Sequence, residues 1–279
     1  MLRIVKTNKA AERLFSGIYF TLITIAGYNV LLKTDYLIPM LGGSSLITIE
    51  SLYTDFPIID NLQYSTEVKN YYLLTLGYHL TSMYKLFRSN SKARRSDFME
   101  MFLHHLLTIA LYMVSYLTNM IKIGSIIMFL HDWADVPTAF TKFGVELEGK
   151  FWSTFSWCMA FPILPLWGYS RLYVFPFIVY YQWIAPFTQI APNYLLEGHL
   201  DQDRAHVFPM MRYMALFLSF LQILHVYWYL LFIRALYRSW TKGDVKDHQE
   251  ELSVDLITDP NKLVEYHIQK AEGHFKKFD

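Results

Sequence analysis

From Phe98 to Phe140 the chain is apolar enough to form two long helices joined by a tight turn near Asn119, yet both helices carry ionisable side chains. His104 and His105 sit on the first, and His131, Asp132 and Asp135 sit on the second. At a rise of about 1.5 Å per residue, His104 lies roughly 22 Å from the turn, His131 roughly 18 Å and Asp135 roughly 24 Å. All five groups therefore share one level. In a hydrocarbon layer about 30 Å thick, that level is past the middle, on the side away from the turn. An ionisable residue at such depth costs about 2.5 to 3.5 kcal/mol on insertion scales, so the cluster is read as a functional site. The plain alternative is a mutually satisfied polar knot that sets helix register. Spacing adds faces to the depth: His131 and Asp135 are i, i+4, as are Glu100 and His104, so each pair shares a side of its helix.

The rest of the chain agrees with a membrane setting. Of 279 residues, 53% are hydrophobic and 18% aromatic, with mean hydropathy +0.20, beyond the range of an ordinary soluble domain. The expected class is all-α, a polytopic transmembrane helix bundle of about six spans. A net charge of +1 provides no basic stripe for nucleic acid, and the single Cys158 excludes an internal disulfide.

In chain order, a basic N-terminal segment (1–13) precedes a first apolar run from Leu14 to Leu32. Gly42, Gly43, Ser44 and Ser45 interrupt the weakly apolar stretch from Tyr36 to Ile49, which reads as a loop packed at the interface. Tyr71 to Phe87 is the second expected span. Arg88, Lys92, Arg94 and Arg95 follow it, and the positive-inside rule puts that loop on the side of the N-terminus. The same basic loop suits a polyphosphate such as coenzyme A. The hairpin supplies two more spans. Prolines 162, 165, 176 and 186 break the stretch from Phe151 to Phe187, which is expected to cross once, with Arg171 buried inside it. Phe208 to Leu236 is the last long run. The transmembrane region then covers 14–238, and 239–279 is a soluble tail. In that tail, Asp259 and Pro260 begin a short amphipathic helix near 260–277, with a stripe of Val264, Ile268, Ala271 and Phe275 suited to a membrane surface or a partner.

The segment FMEMFLHHLLTIALYMVSYLTNMIKIGSIIMFLHDWADVP resembles the Lag1 motif of the ceramide synthases, within the TLC membrane family. NYYLLTLGY before it, SRLYVFPF at Ser170 to Phe177 and the run from Leu221 to Glu251 extend the resemblance over roughly Phe15 to Glu251. It implies a sphingoid-base N-acyltransferase that moves a long-chain acyl group from acyl-CoA, the co-substrate, to an amine. No metal or other cofactor is implied. The catalytic residues implied are His104, His105, His131, Asp132 and Asp135. One of His104 or His131 would take the amine proton or be transiently acylated, and the two carboxylates would orient an imidazole. Arg171, His225, Lys122, Glu100, Arg94 and Arg95 are the candidates for substrate binding. Thr75 and Ala139 stand where the family carries acids, and Lys122 where it carries Arg. The expected membrane is the endoplasmic reticulum, with a mitochondrial membrane as the alternative that the basic start suggests.

Two other readings stay open at this point. The His and Asp residues could hold a metal, although membrane di-iron enzymes use several HxxHH boxes and this chain has a single HH. Alternatively, the bundle could be a non-catalytic, lipid-holding subunit of a larger membrane complex or a homo-oligomer, contacted through its tail helix.

Overall fold

The structure is a computed structural model that describes residues 2–53, 64–90, 97–147, 149–185 and 207–242. Arg94, Arg95 and the expected tail helix near 260–277 lie outside the described residues. Among the described residues the regular structure is all helical, with no strand. The helices are α1 (Leu2–Leu32), α2 (Thr66–Asn90), α3 (Phe98–Leu117), α4 (Ile121–Val145), α5 (Lys150–Ala160), α6 (Ile163–Trp167), α7 (Phe175–Ala185) and α8 (Val207–Lys242), with a π-helical stretch Gly168–Val174 linking α6 to α7.

Burial is inverted relative to a water-soluble protein. Arg171, His225 and Asp132 are 2%, 0% and 1% exposed, while Leu22, Leu74 and Leu230 are 62%, 62% and 60% exposed. An apolar outside around a polar inside is stable only where the solvent is hydrocarbon, so this is a membrane protein. Lys9–Leu32, Phe98–Leu117 and Pro209–Thr241 are long and apolar enough to cross a membrane on length and composition alone. The other long helices, α2 and α4, carry Lys85 and His79, and the site residues with Lys122 and Lys142, respectively. His79 of α2 and His131 and Asp132 of α4 are buried, whereas Lys85 is exposed.

The hairpin turns where its spacing predicts. Asn119 takes a left-handed conformation (φ 62°), the N–H of Met120 donates to Ser115 O (2.8 Å), and that of Asn119 donates to Tyr116 O (3.4 Å). This is a Schellman closure with Asn in the position glycine usually fills. Tyr72 and Ser115 join their hydroxyls nearby and tie α2 to α3.

Residues 34–53 do more than rest at the interface. Leu37, Ile38, Leu41, Ile49, Leu52 and Tyr53 are buried in the main core with residues of α4, α7 and α8, and Tyr53 Oη donates to Gln182 Oε1 of α7 at 2.9 Å. Two 3-10 turns, Pro39–Leu41 and Glu50–Tyr53, fold the segment back, and the first ends at Gly42 with φ 88°. The inserted plug closes the bundle at its Asn119 end.

The proline-broken stretch forms one path antiparallel to α4. Trp152 meets Phe143, Phe155 meets Phe140, Arg171 meets Asp135, and Phe175 meets His131. Regular helix breaks at Phe161–Pro162 and widens through the π-helical stretch, where Arg171 sits. Such widened turns insert an extra residue into the helix and re-aim its side chains, and they are frequent at functional sites.

Candidate active site

His131 is held by its own helix. Its Nδ1–H donates to Ile127 O at 2.7 Å, so in the neutral ring Nε2 carries the lone pair. That nitrogen is 3.1 Å from His225 Nε2 on α8, which makes His225 the donor of this bond. Phe175 packs on both rings, with centroids at 5.4 and 5.0 Å.

Arg171 braces the same turn of α4. One terminal nitrogen donates to Asp135 Oδ1 at 2.6 Å and to His131 O at 3.0 Å. The guanidinium lies 3.7 Å over Trp167, one helical turn earlier, and Trp167 Nε1 donates to His225 O at 3.2 Å. One tryptophan thus links the cation to the second imidazole. Trp167 also meets Trp228 edge-on, and His104 of α3 packs edge-on against Trp228 at 5.1 Å. His104 therefore joins this layer through tryptophan.

The adjacent histidines of α3 point to different neighbours. Their rings are 5.5 Å apart, with His104 toward α8 and His105 toward His79 of α2 at 6.0 Å. The same division recurs on α4: His131 and Asp135 reach α8 and the π-helical stretch, whereas Asp132 Oδ2 accepts from Tyr71 Oη of α2 at 3.1 Å. The site has two sides, separated by α4 and bridged by the histidine pair.

Several expectations need correction. The carboxylates were expected to orient an imidazole; the hydrogen bonds of Asp132 and Asp135 go to Tyr71 and Arg171, and His131 is oriented by the backbone and by His225. A carboxylate at this depth draws the nearest strong donor, and the buried guanidinium outbids a neutral ring. Lys122 is at the turn, with its ammonium 6.0 Å from the Tyr36 ring. It is nine residues before His131, about 14 Å along the helix, and takes no part in the cluster. Glu100 is half-buried one turn before His104 and interacts electrostatically with Tyr227 of α8. Among the described residues, no three His, Cys, Asp or Glu side chains converge as a metal ion requires.

Residues not anticipated as part of the site include Tyr71, Trp167, Trp228 and His79. Only the Trp167–Arg171 pair left a trace in the sequence, an i, i+4 spacing on one helix face. The others join through contacts between distant helices.

A narrow cavity with about 20 Å³ of free space, room for one water molecule, starts at His131 and runs toward Ser115, Gly124 and Gln182. It extends toward the Asn119 turn. A second apolar cavity of about 430 Å³ between α3 and α8 shares Leu111 and Met214 with it.

Comparison with known proteins adds the following. The family model described as the TLC domain matches residues 9–234. The chain is 27% identical over 270 residues to ceramide synthase hyl-2 of Caenorhabditis elegans, covering 96% of the chain and 75% of the relative. It is 27% identical over 242 residues to ceramide synthase 3 of Homo sapiens, covering 87% and 55%, respectively. With sphingosine N-acyltransferase lag1 of Schizosaccharomyces pombe, identity is 28% over 215 residues, covering 72% and 49%. The chain thus spans three quarters of the first relative and about half of the other two.

Proposed function

The chain belongs to the TLC-domain family, and we propose that it is a sphingoid-base N-acyltransferase of the endoplasmic reticulum membrane, crossing it six times. The observation that carries this reading is the buried imidazole pair, in which His131 lines a cavity, has Nε2 unprotonated and is braced by the Arg171–Asp135 ion pair. The relatives named as ceramide synthases and as a sphingosine N-acyltransferase support acyl transfer over a purely structural role.

An alkyl ammonium has a pKa near 10 in water, about that of lysine, and only its neutral form attacks a carbonyl. Once the amine displaces the His225 N–H, His131 Nε2 accepts a proton from the amine as the amine nitrogen bonds to the thioester carbon. The C–S bond breaks, the proton passes to the departing thiolate, and the products are an amide and free CoA thiol. General-base assistance of this kind contributes roughly 10²- to 10⁴-fold. His225 keeps His131 in the competent tautomer, and Arg171 fixes the turn that bears it. His104, on the facing helix, completes the layer through Trp228. A dry interior keeps water from the thioester, and the α3–α8 cavity suits a hydrocarbon chain arriving from lipid.

Release of CoA thiol by purified protein, followed with a thiol reagent, tests the proposal. Thiol should appear only when a long-chain acyl-CoA and a sphingoid base are both present. Release at the same rate without the amine would make the protein a thioesterase instead.

A further inference from the structure

Asp132 follows His131 in α4 and is turned about 100° from it around the helix axis, onto the α2 side. It is 1% exposed, and while Oδ2 accepts from Tyr71, Oδ1 has no hydrogen-bond partner. Arg171, the guanidinium nearest in the site, is engaged by Asp135. On α3, the Tyr112 hydroxyl interacts electrostatically with Asp132 and has no hydrogen-bond partner. His79 of α2 packs edge-on against Tyr112 at 5.2 Å, and neither of its ring nitrogens is hydrogen-bonded. Tyr112 and His79 are 4% and 6% exposed.

One side of the site therefore holds a buried carboxylate oxygen, a phenol and an imidazole, all unmatched and all brought together by different helices. Buried polar groups are nearly always paired, and such a concentration marks a place where a ligand supplies the missing partners. The requirement is specific: a cation for the carboxylate, and groups that both donate and accept for the phenol and the imidazole. A primary ammonium flanked by hydroxyls meets it, whereas an acyl chain or a thioester does not.

We propose that the α2 side of α4 is the subsite for the head of the acceptor amine, with Asp132 holding the ammonium of a long-chain 2-amino-1,3-diol and Tyr112 and His79 holding its hydroxyls. This rests on the acyl-transfer reading and reassigns Asp132 from orienting an imidazole to binding substrate. The bound ammonium gives one proton to Asp132, and the neutral nitrogen meets His131 across the small cavity that Tyr112 and His131 both line, His131 taking the second proton as the amide forms. No group is consumed or oxidised in this binding step.

The test uses the full chain purified in detergent, without acyl-CoA, and two probes: a long-chain 2-amino-1,3-diol, and the same diol lacking the amine. The amine should raise the melting temperature of the wild type more than the amine-free diol does, and Asp132→Asn should remove the difference. In turnover, Tyr112→Phe and His79→Gln should each raise KM for the amine about five- to tenfold, the loss of one hydrogen bond, while KM for acyl-CoA holds. Equal stabilisation by the two probes in the wild type, or unchanged amine KM in both Tyr112→Phe and His79→Gln, would overturn the subsite. An amine-specific shift without any acyl-transfer product would instead keep the subsite and remove the reaction.

Discussion

Replacing Arg171 by methionine tests what holds the site in place. The side chain is 2% exposed and its partner Asp135 is 24% exposed, so the mutation strands a carboxylate with limited access to solvent. Breaking a buried pair from one side costs about 3 to 5 kcal/mol. The partial exposure of Asp135 moves the expectation to the lower end, about 3 kcal/mol, after allowing for screening. For a chain of this size that is a fall in melting temperature of roughly 5 to 10 °C. Removing both charges in Arg171→Met/Asp135→Leu eliminates the stranded group, so the double variant should recover most of the loss. Its activity should stay low, because His131 O has lost the guanidinium that braces its turn. Thermal denaturation of the purified single and double variants in one detergent reads the cycle. A single variant within 1 kcal/mol of wild type, or a double variant no more stable than the single, would refute the reasoning.

Other substitutions probe separate parts of the structure. Asn119→Ala places a less tolerant residue at φ 62° and should cost about 1 kcal/mol, while Asn119→Gly should be close to neutral, as read by thermal denaturation. Gly27→Leu should lower both stability and turnover, since even a Cβ there would be 2.7 Å from the Tyr71 ring, whose hydroxyl serves Asp132. His225→Phe keeps ring volume but removes the donor to His131. It should lower kcat at least tenfold with little change in melting temperature, and a normal kcat would mean that His225 only packs.

How much of this was legible in the sequence depends on what helical periodicity can encode. Position along a helix axis is encoded, so the turn at Asn119 and the shared depth of His104, His131 and Asp135 could be read before any coordinates. Rotation about the axis is encoded only relative to the same helix, so the i, i+4 relation of His131 to Asp135 is correct while their partners were not. Whether a carboxylate meets an arginine, a tyrosine or an imidazole depends on the order of helices around the bundle, which no local pattern carries. Arg171 was noticed as a buried cation, but its partner was hidden by the breaks at Pro162 and the π-helical stretch. These breaks shift the register of its path against α4. His225 reads in the sequence only as a candidate for substrate binding; the 3.1 Å contact with His131 spans two helices far apart in the chain. The plug at 34–53 was missed for a related reason. Its apolar residues lack helical period, and only the open end of a bundle gives them somewhere to be buried.

The most direct measurement is lipid mass spectrometry of purified protein incubated with a long-chain acyl-CoA and a sphingoid base. The account predicts an N-acylated base from the wild type and, from a folded His131→Gln variant, a loss of at least a hundredfold. No product from the wild type, or equal product from the variant, would contradict it.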